Sequence, residues 1–237
     1  MSAMTESFAT AFRLIVHADP VLIRTVALSL AVSGSACLCA AAFGLGSGAW
    51  LAVARFPGQR AVLLSLDTLL ALPSVVVGLV VYLMLSRSGP LGSLGILFTP
   101  TAMVIAQTIL VLPIVAALAR QVVADALREG GDQLRSMGAG AFASALLMLL
   151  HERWAVATLM LIAFGRAIAE VGAVMIVGGN IDGVTRVMTT TIALETSKGD
   201  LPLALALGFV LLVVIALFNV AIALFQRNSG PLAVERR

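Results

Sequence analysis

The chain has 237 residues, of which 60% are hydrophobic and only 11% are charged, and its net charge is +3. A soluble domain has roughly 25% charged residues, so this composition excludes an ordinary soluble enzyme, which could not bury so much apolar surface, and a disordered chain. The basic excess forms no Lys/Arg cluster of the kind that binds nucleic acid; it is typical of a membrane protein with basic cytoplasmic loops.

Residues 1–19 are a predicted N-terminal segment outside the membrane. Their pattern does not indicate a cleavable signal peptide, because the apolar run that follows is too long. Cys37 and Cys39 lie inside that run and are interpreted as small apolar helix residues rather than as a disulfide or a metal site. His17 and His151 are too few and too far apart to form a metal cluster, so no metal is expected.

Long intervals without a charged residue predict five transmembrane helices within a permease domain at 20–226, since each helix needs about 20 apolar residues. The intervals lack the alternation of barrel strands, so the predicted fold is an all-α polytopic membrane protein. Pro73 and Pro113 predict kinks in the second and third helices. The predicted spans are 22–50, 62–86, 99–121, 154–178 and 203–225.

The basic residues between these spans set the predicted orientation. More of them lie in the loops after the first and third spans and in the tail 227–237 than in the opposite loops. By the positive-inside rule, the N-terminus is outside and the C-terminus is in the cytoplasm. The loop 122–153 is long and charged with an apolar middle, and predicts one or two helices at the cytoplasmic surface. They serve either as a solvated connector or as a docking surface.

Arg166 and Glu170 are the charged residues within the fourth predicted span. Four residues apart on one helix, they would share a face and neutralise each other at membrane depth. The pair is either a structural lock between helices or part of a gate or ion relay. The structural role is favoured, because a relay usually needs a chain of ionisable groups.

A polar break at 177–186 follows the fourth span, and residues 188–195 predict a short amphipathic helix at the outer face. Its hydroxyl and N–H groups could solvate an anion, although the segment could equally be an ordinary outer loop. The sequence contains no P-loop, no Gly-x-Ser-x-Gly and no His-Glu-x-x-His motif. No catalytic residue is therefore predicted, and uphill transport would need a partner or an ion gradient.

Several segments resemble one family. The run from Asp132 to Ala139 resembles the Glu-Ala-Ala-x3-Gly loop of ATP-binding-cassette (ABC) importer permeases, with Asp132 as the acid and Gly138 as the glycine. Residues 164–173 are similar to a segment of molybdate and sulfate permeases that contains Arg-Ala-x-x-Glu. The likeness extends from about residue 20 to residue 225, and the segments that resemble tungstate permeases are 72–78, 85–92, 170–180 and 185–200.

The resemblance implies a type I ABC importer permease for an oxyanion, most closely tungstate, in the cytoplasmic membrane of a bacterium or archaeon. It implies a dimer of two copies of the chain and cytoplasmic ATPase subunits that couple to Asp132, Gly138 and Ala139. An extracytoplasmic tungstate- or molybdate-binding protein would deliver the anion. The partner ATPase would bind ATP and Mg²⁺, and this chain would bind no cofactor.

A dianion such as tungstate cannot be stripped of water in an apolar pore without compensation. We therefore expect a wet path at the dimer axis, lined by small and hydroxyl residues and open alternately to each side. Thr189, Thr190 and Thr191 are the candidate gate residues, and Arg166 with Glu170 is expected to organise the fourth span. The sequence does not separate tungstate from molybdate.

Two other classes are considered. A secondary transporter or channel driven by an ion gradient would show an intramembrane carboxylate chain and usually an internal repeat, and the sequence shows neither. A non-transporting subunit of a membrane assembly would leave the loop 122–153 unexplained, without contradicting it.

Overall fold

A computed structural model describes residues 20–228, together with residues 10, 12 and 17. These residues form helices and turns with no strand among them, so the predicted all-α fold is confirmed for the part of the chain described. The predicted N-terminal segment 1–19 and the cytoplasmic tail 227–237 lie almost wholly outside the described residues.

Two long helices, α1 (Pro20–Val53) and α4 (Pro100–Ser136), form the central packed pair. Gly44 and Gly48 of α1 face α4 so closely that a β-carbon at Gly44 would lie 2.9 Å from Val115 Cγ1. A β-carbon at Gly48 would overlap the Ala116 carbonyl oxygen. Small residues at such an interface let two membrane helices approach and gain van der Waals contact.

The second predicted span is not one helix. The structure divides it into α2 (Gln59–Leu70) and α3 (Ser74–Leu85), whose axes differ by 99°. Pro73 causes the break, because it lacks an N–H donor, disfavours helical backbone at the residue before it and itself takes an extended conformation. The kink predicted at Pro73 is therefore present as a full break between two helices within the predicted span 62–86.

The third and fourth predicted spans also have different limits. Helix α4 continues past the predicted end at 121 and carries the first half of the predicted loop to Ser136. The rest of that loop is α5 (Ala141–His151), which meets α6 (Arg153–Ile168) at 78°. A short helix, α7 (Gly172–Gly178), follows a break, so the single helix predicted at 154–178 is wrong.

The chain ends with α8 (Met188–Lys198) and α9 (Leu201–Asn228). The predicted short helix after the polar break is therefore present as α8. Among the described residues, α1, α4 and α9 are each long and apolar enough to cross a membrane, and up to five spans result if each bent pair is one span. Large apolar side chains on α1, α3 and α9 are exposed, as lipid contact requires: Leu38, Phe43, Leu79, Leu212 and Leu217.

Candidate functional site

The break between α6 and α7 is the polar centre of the bundle. Arg166 Nη1 lies 2.6 Å from Glu170 Oε2, so the predicted ion pair is present. Contrary to the prediction, the two residues do not lie on one helix, because α6 ends at Ile168 and Glu170 lies in the break. Glu170 is 4% exposed, whereas the Arg166 side chain is 41% exposed. The carboxylate is therefore the buried member of the pair.

The break allows α7 to pack closely on the start of α3. A β-carbon at Gly172 would lie 2.9 Å from Val75 Cγ2 and 3.0 Å from the Ser74 hydroxyl oxygen. The Ala173 N–H donates to Glu170 Oε1 at 3.2 Å. One carboxylate thus joins the end of α6 to the start of α7, and Gly172 lies next to the start of α3.

Two side chains from other helices satisfy carbonyl groups at the break. Gln107 of α4 donates from Nε2 to the Ala167 carbonyl at 2.9 Å. Thr189 of α8 donates from its hydroxyl to the Glu170 carbonyl at 2.8 Å. Non-helical backbone at membrane depth persists only where protein or water supplies such partners. The break is therefore a junction of α3, α4, α6, α7 and α8.

A cavity of about 10 Å³ lies beside this junction, lined in part by Ser29, Ser33, Gln107, Glu170 and Thr189. That volume corresponds to the space that one water molecule needs. The Gln107 Oε1 atom is buried there without a hydrogen-bond partner. The cavity is therefore large enough for one water molecule to hydrogen-bond Gln107 Oε1 and too small for a hydrated dianion.

The three candidate gate threonines lie in the first turn of α8. The Thr190 hydroxyl accepts from the Val187 N–H at 3.0 Å, and the Thr191 hydroxyl donates to the Val187 carbonyl at 2.8 Å. With Thr189 bonded to Glu170, all three hydroxyls have protein partners. Their place on a substrate path stays a prediction, and in this structure they organise the start of α8.

The predicted coupling residues lie together at the end of α4. Asp132 is fully exposed and its carboxylate lies 3.5 Å from Arg135 Nη1. Gly138 has φ +82°, its N–H donates to the Arg135 carbonyl, and the Ala139 N–H donates to the Leu134 carbonyl. This is the Schellman arrangement that ends helices at a left-handed residue. The glycine of the sequence motif is therefore the residue that turns the chain from α4 into α5.

Replacing Gly138 with alanine tests that assignment. We expect Gly138→Ala to cost about 1–2 kcal/mol, because an L-residue disfavours left-handed backbone, while nothing within 4 Å would contact the new methyl group. Gly140→Ala is the matched control, since Gly140 has φ −66° and is equally open. Thermal unfolding of the purified variants measures both. Equal losses at the two positions would contradict the strained-turn assignment.

The loop 179–187 between α7 and α8 is held against the start of α1. Arg24 Nη2 donates to the Gly183 carbonyl at 2.5 Å, and Arg186 pairs with Asp182 at 3.2 Å. The Met188 N–H donates to the buried Ser29 hydroxyl at 2.9 Å. Sequence analysis missed Ser29, Ser74 and Gln107 because single polar residues in apolar runs carry no local pattern.

The chain matches no protein-family model. It is 41% identical over 228 residues to the tungstate uptake system permease protein TupB of Peptoclostridium acidaminophilum, covering 96% of this chain and 100% of the relative. It is 40% identical to a probable anion ABC transporter permease protein of Haloferax volcanii, covering 88% and 92% of the two chains. It is 36% identical to TupB of Campylobacter jejuni over 90% of each chain.

Proposed function

The chain belongs to the family of tungstate and anion permeases of ABC transporters, and we propose that it is the membrane subunit of an importer for tungstate. Similarity over 96% of the chain to a tungstate uptake permease is the observation that carries the proposal. The chain is a permease and not an ATPase, in agreement with the absence of a nucleotide-binding motif from its sequence. Membership of this family favours ATP-driven transport over a secondary transporter or channel driven by an ion gradient.

In the proposed complex, two copies of the chain form the path and each copy has five spans, with each bent pair counted once. The end of α4, with Asp132, Gly138 and Ala139, faces a cytoplasmic ATPase. A binding protein delivers the anion to the outer loop around Arg186. The C-terminus is cytoplasmic, and the complex lies in the cytoplasmic membrane of a bacterium or archaeon.

Helix α4 supplies a direct mechanical connection in this mechanism. It is continuous from Pro100 to Ser136 and carries both Gln107 and Asp132. At 1.5 Å per residue these two residues are roughly 37 Å apart along the axis. A displacement of the ATPase-facing end would therefore reach the junction through Gln107, which holds the Ala167 carbonyl.

The junction is also where alternating access would act. Gln107 holds the end of α6, and Thr189 holds α8 to the same break. Movement of α4 would change both bonds and release the first turn of α8, which contains Thr190 and Thr191. Their hydroxyls would then be free to solvate the dianion, in the way that the energetics of desolvation require.

Reconstitution with the ATPase and the binding protein tests the function. We expect binding protein loaded with tungstate to stimulate ATP hydrolysis more than the same protein loaded with sulfate. Controls with binding protein in buffer that contains no oxyanion should show only the basal rate. Asp132→Ala should abolish the stimulation, because it removes the acid proposed to couple to the ATPase. Asp125→Ala, which removes another exposed acid of α4, is the matched control. If none of the loaded binding proteins stimulates hydrolysis, the importer proposal is overturned.

A further inference from the structure

A second cavity, of about 720 Å³, opens at the end of the bundle that carries the α4–α5 turn. It lies between the end of α1, the start of α2, the last turns of α4 and the start of α5. Three guanidinium groups line it, those of Arg55, Arg128 and Arg135. No carboxylate is among its lining residues in the described part of the chain, so the cavity is basic.

The positive charge of this cavity is only partly compensated. Arg128 lies 3.0 Å from Asp125 and Arg135 lies 3.5 Å from Asp132, but these side chains are largely exposed. Such surface pairs are weak and can rearrange. Arg55 is exposed and has no ion-pair partner among the described residues. An anion in the cavity would therefore meet the guanidinium of Arg55, which has no ion-pair partner among the described residues. It would also meet those of Arg128 and Arg135, whose surface ion pairs are weak.

The start of α5 adds hydrogen-bond donors to the same cavity, whose lining includes Ala139, Ala141 and Ser144. Helix α5 has 11 residues, and Gly140 at its N-cap provides no side-chain cap. The first N–H groups of a helix have no partner within the helix, and the helix dipole is positive at that end. Phosphate and other oxyanions bind at such positions.

Ser144 is the independent observation that points to a ligand. Its side chain is 4% exposed, and its hydroxyl oxygen is buried with no hydrogen-bond partner. An unsatisfied buried hydroxyl is costly and uncommon. Here it lies one turn into α5, among the residues that line the basic cavity.

We propose that this cavity binds a tetrahedral oxyanion, held by Arg55, the N-terminal N–H groups of α5 and the Ser144 hydroxyl, whose side chain rotates toward the cavity to reach the anion. Two sources share this chemistry: the phosphate of an anionic lipid headgroup, since basic pockets between membrane helices bind such headgroups, and a free oxyanion. The proposal does not rest on tungstate transport, because it uses only the charge and geometry of this cavity.

Binding to the full-length chain tests the site. One arm measures binding of radiolabelled inorganic phosphate, and separately of tungstate, to the chain in nanodiscs of neutral phosphatidylcholine. The other arm measures retention of phosphatidylglycerol by native mass spectrometry. Arg55→Gln and Ser144→Ala are the test variants. Arg60→Gln is the matched control, because Arg60 lies in α2 near Arg55 but does not line the cavity.

We expect Arg55→Gln to weaken binding at least about tenfold, as loss of a charge-assisted bond does, and Arg60→Gln to leave it unchanged. Ser144→Ala should weaken binding while leaving the unfolding temperature of the ligand-free chain equal or higher, because it removes the unsatisfied hydroxyl. This pattern for phosphate or tungstate identifies a free oxyanion, and the same pattern for phosphatidylglycerol alone identifies a lipid. No binding in either arm, or equal loss in Arg55→Gln and Arg60→Gln, overturns the proposal.

Discussion

Glu170→Ala is expected to destabilise the protein by about 3 kcal/mol. Removing one member of a buried ion pair typically costs 3–5 kcal/mol, and the lower end applies because Arg166 is 41% exposed and can reach solvent or headgroups. The variant also removes the acceptor of the Ala173 N–H. Thermal unfolding of the purified chain in detergent measures the loss.

Two further variants make this prediction specific. Glu170→Gln keeps an oxygen acceptor for Ala173 and should lose only about 1–2 kcal/mol. Asp125→Ala breaks the exposed Arg128–Asp125 pair and should change stability by less than about 1 kcal/mol. If Glu170→Ala abolishes transport while the unfolding temperature stays at the wild-type value, the structural role is wrong and an ion relay becomes the better explanation.

Gly48→Ala is expected to destabilise the α1–α4 pair by about 1–3 kcal/mol, the usual cost of overpacking. The added methyl group would overlap the Ala116 backbone and lie 2.9 Å from the Ala119 β-carbon. Neither α4 neighbour is the end of a flexible side chain, so the helices themselves must separate. The unfolding temperature and the yield of monodisperse protein report the change.

Gly46→Ala is the control for that prediction, because it makes the same substitution two residues away in the same helix. Nothing lies within 4 Å of a β-carbon at Gly46. Alanine is favoured over glycine in a helix by about 0.5–1 kcal/mol, so this variant should be as stable as the wild type or slightly more stable. Similar losses at both positions would show that α1 and α4 do not pack through Gly48.

The helices were predictable because charge-free intervals and their length depend on composition alone. The bends between helices were only partly predictable from the sequence. Pro73 marks the first break in the sequence, but the break after Ile168 contains no proline and depends on Gly172 fitting against Ser74 and Val75 of another helix. Contacts of that kind are distant in sequence and leave no hydropathy signal.

The candidate site, like the bends, was only partly predictable from the sequence. The Arg166–Glu170 pair follows from spacing, whereas the bonds that Gln107 and Thr189 make at the break depend on how several helices meet. The glycines of α1 are indistinguishable in sequence, yet a β-carbon at Gly48 would overlap α4 and a β-carbon at Gly46 would meet nothing within 4 Å. Which small residue lies at an interface is decided by helix rotation, which a nearly uniform apolar sequence does not specify.

The short separation of Arg166 and Glu170 has a consequence for biogenesis. A charged residue at the centre of a helix costs about 2.5–3.5 kcal/mol during insertion. These two residues are four apart, so they can neutralise each other before any other helix is in place. The segment that contains them can therefore leave the translocon locally neutral, and Gln107 and Thr189 complete the junction when the inserted helices associate.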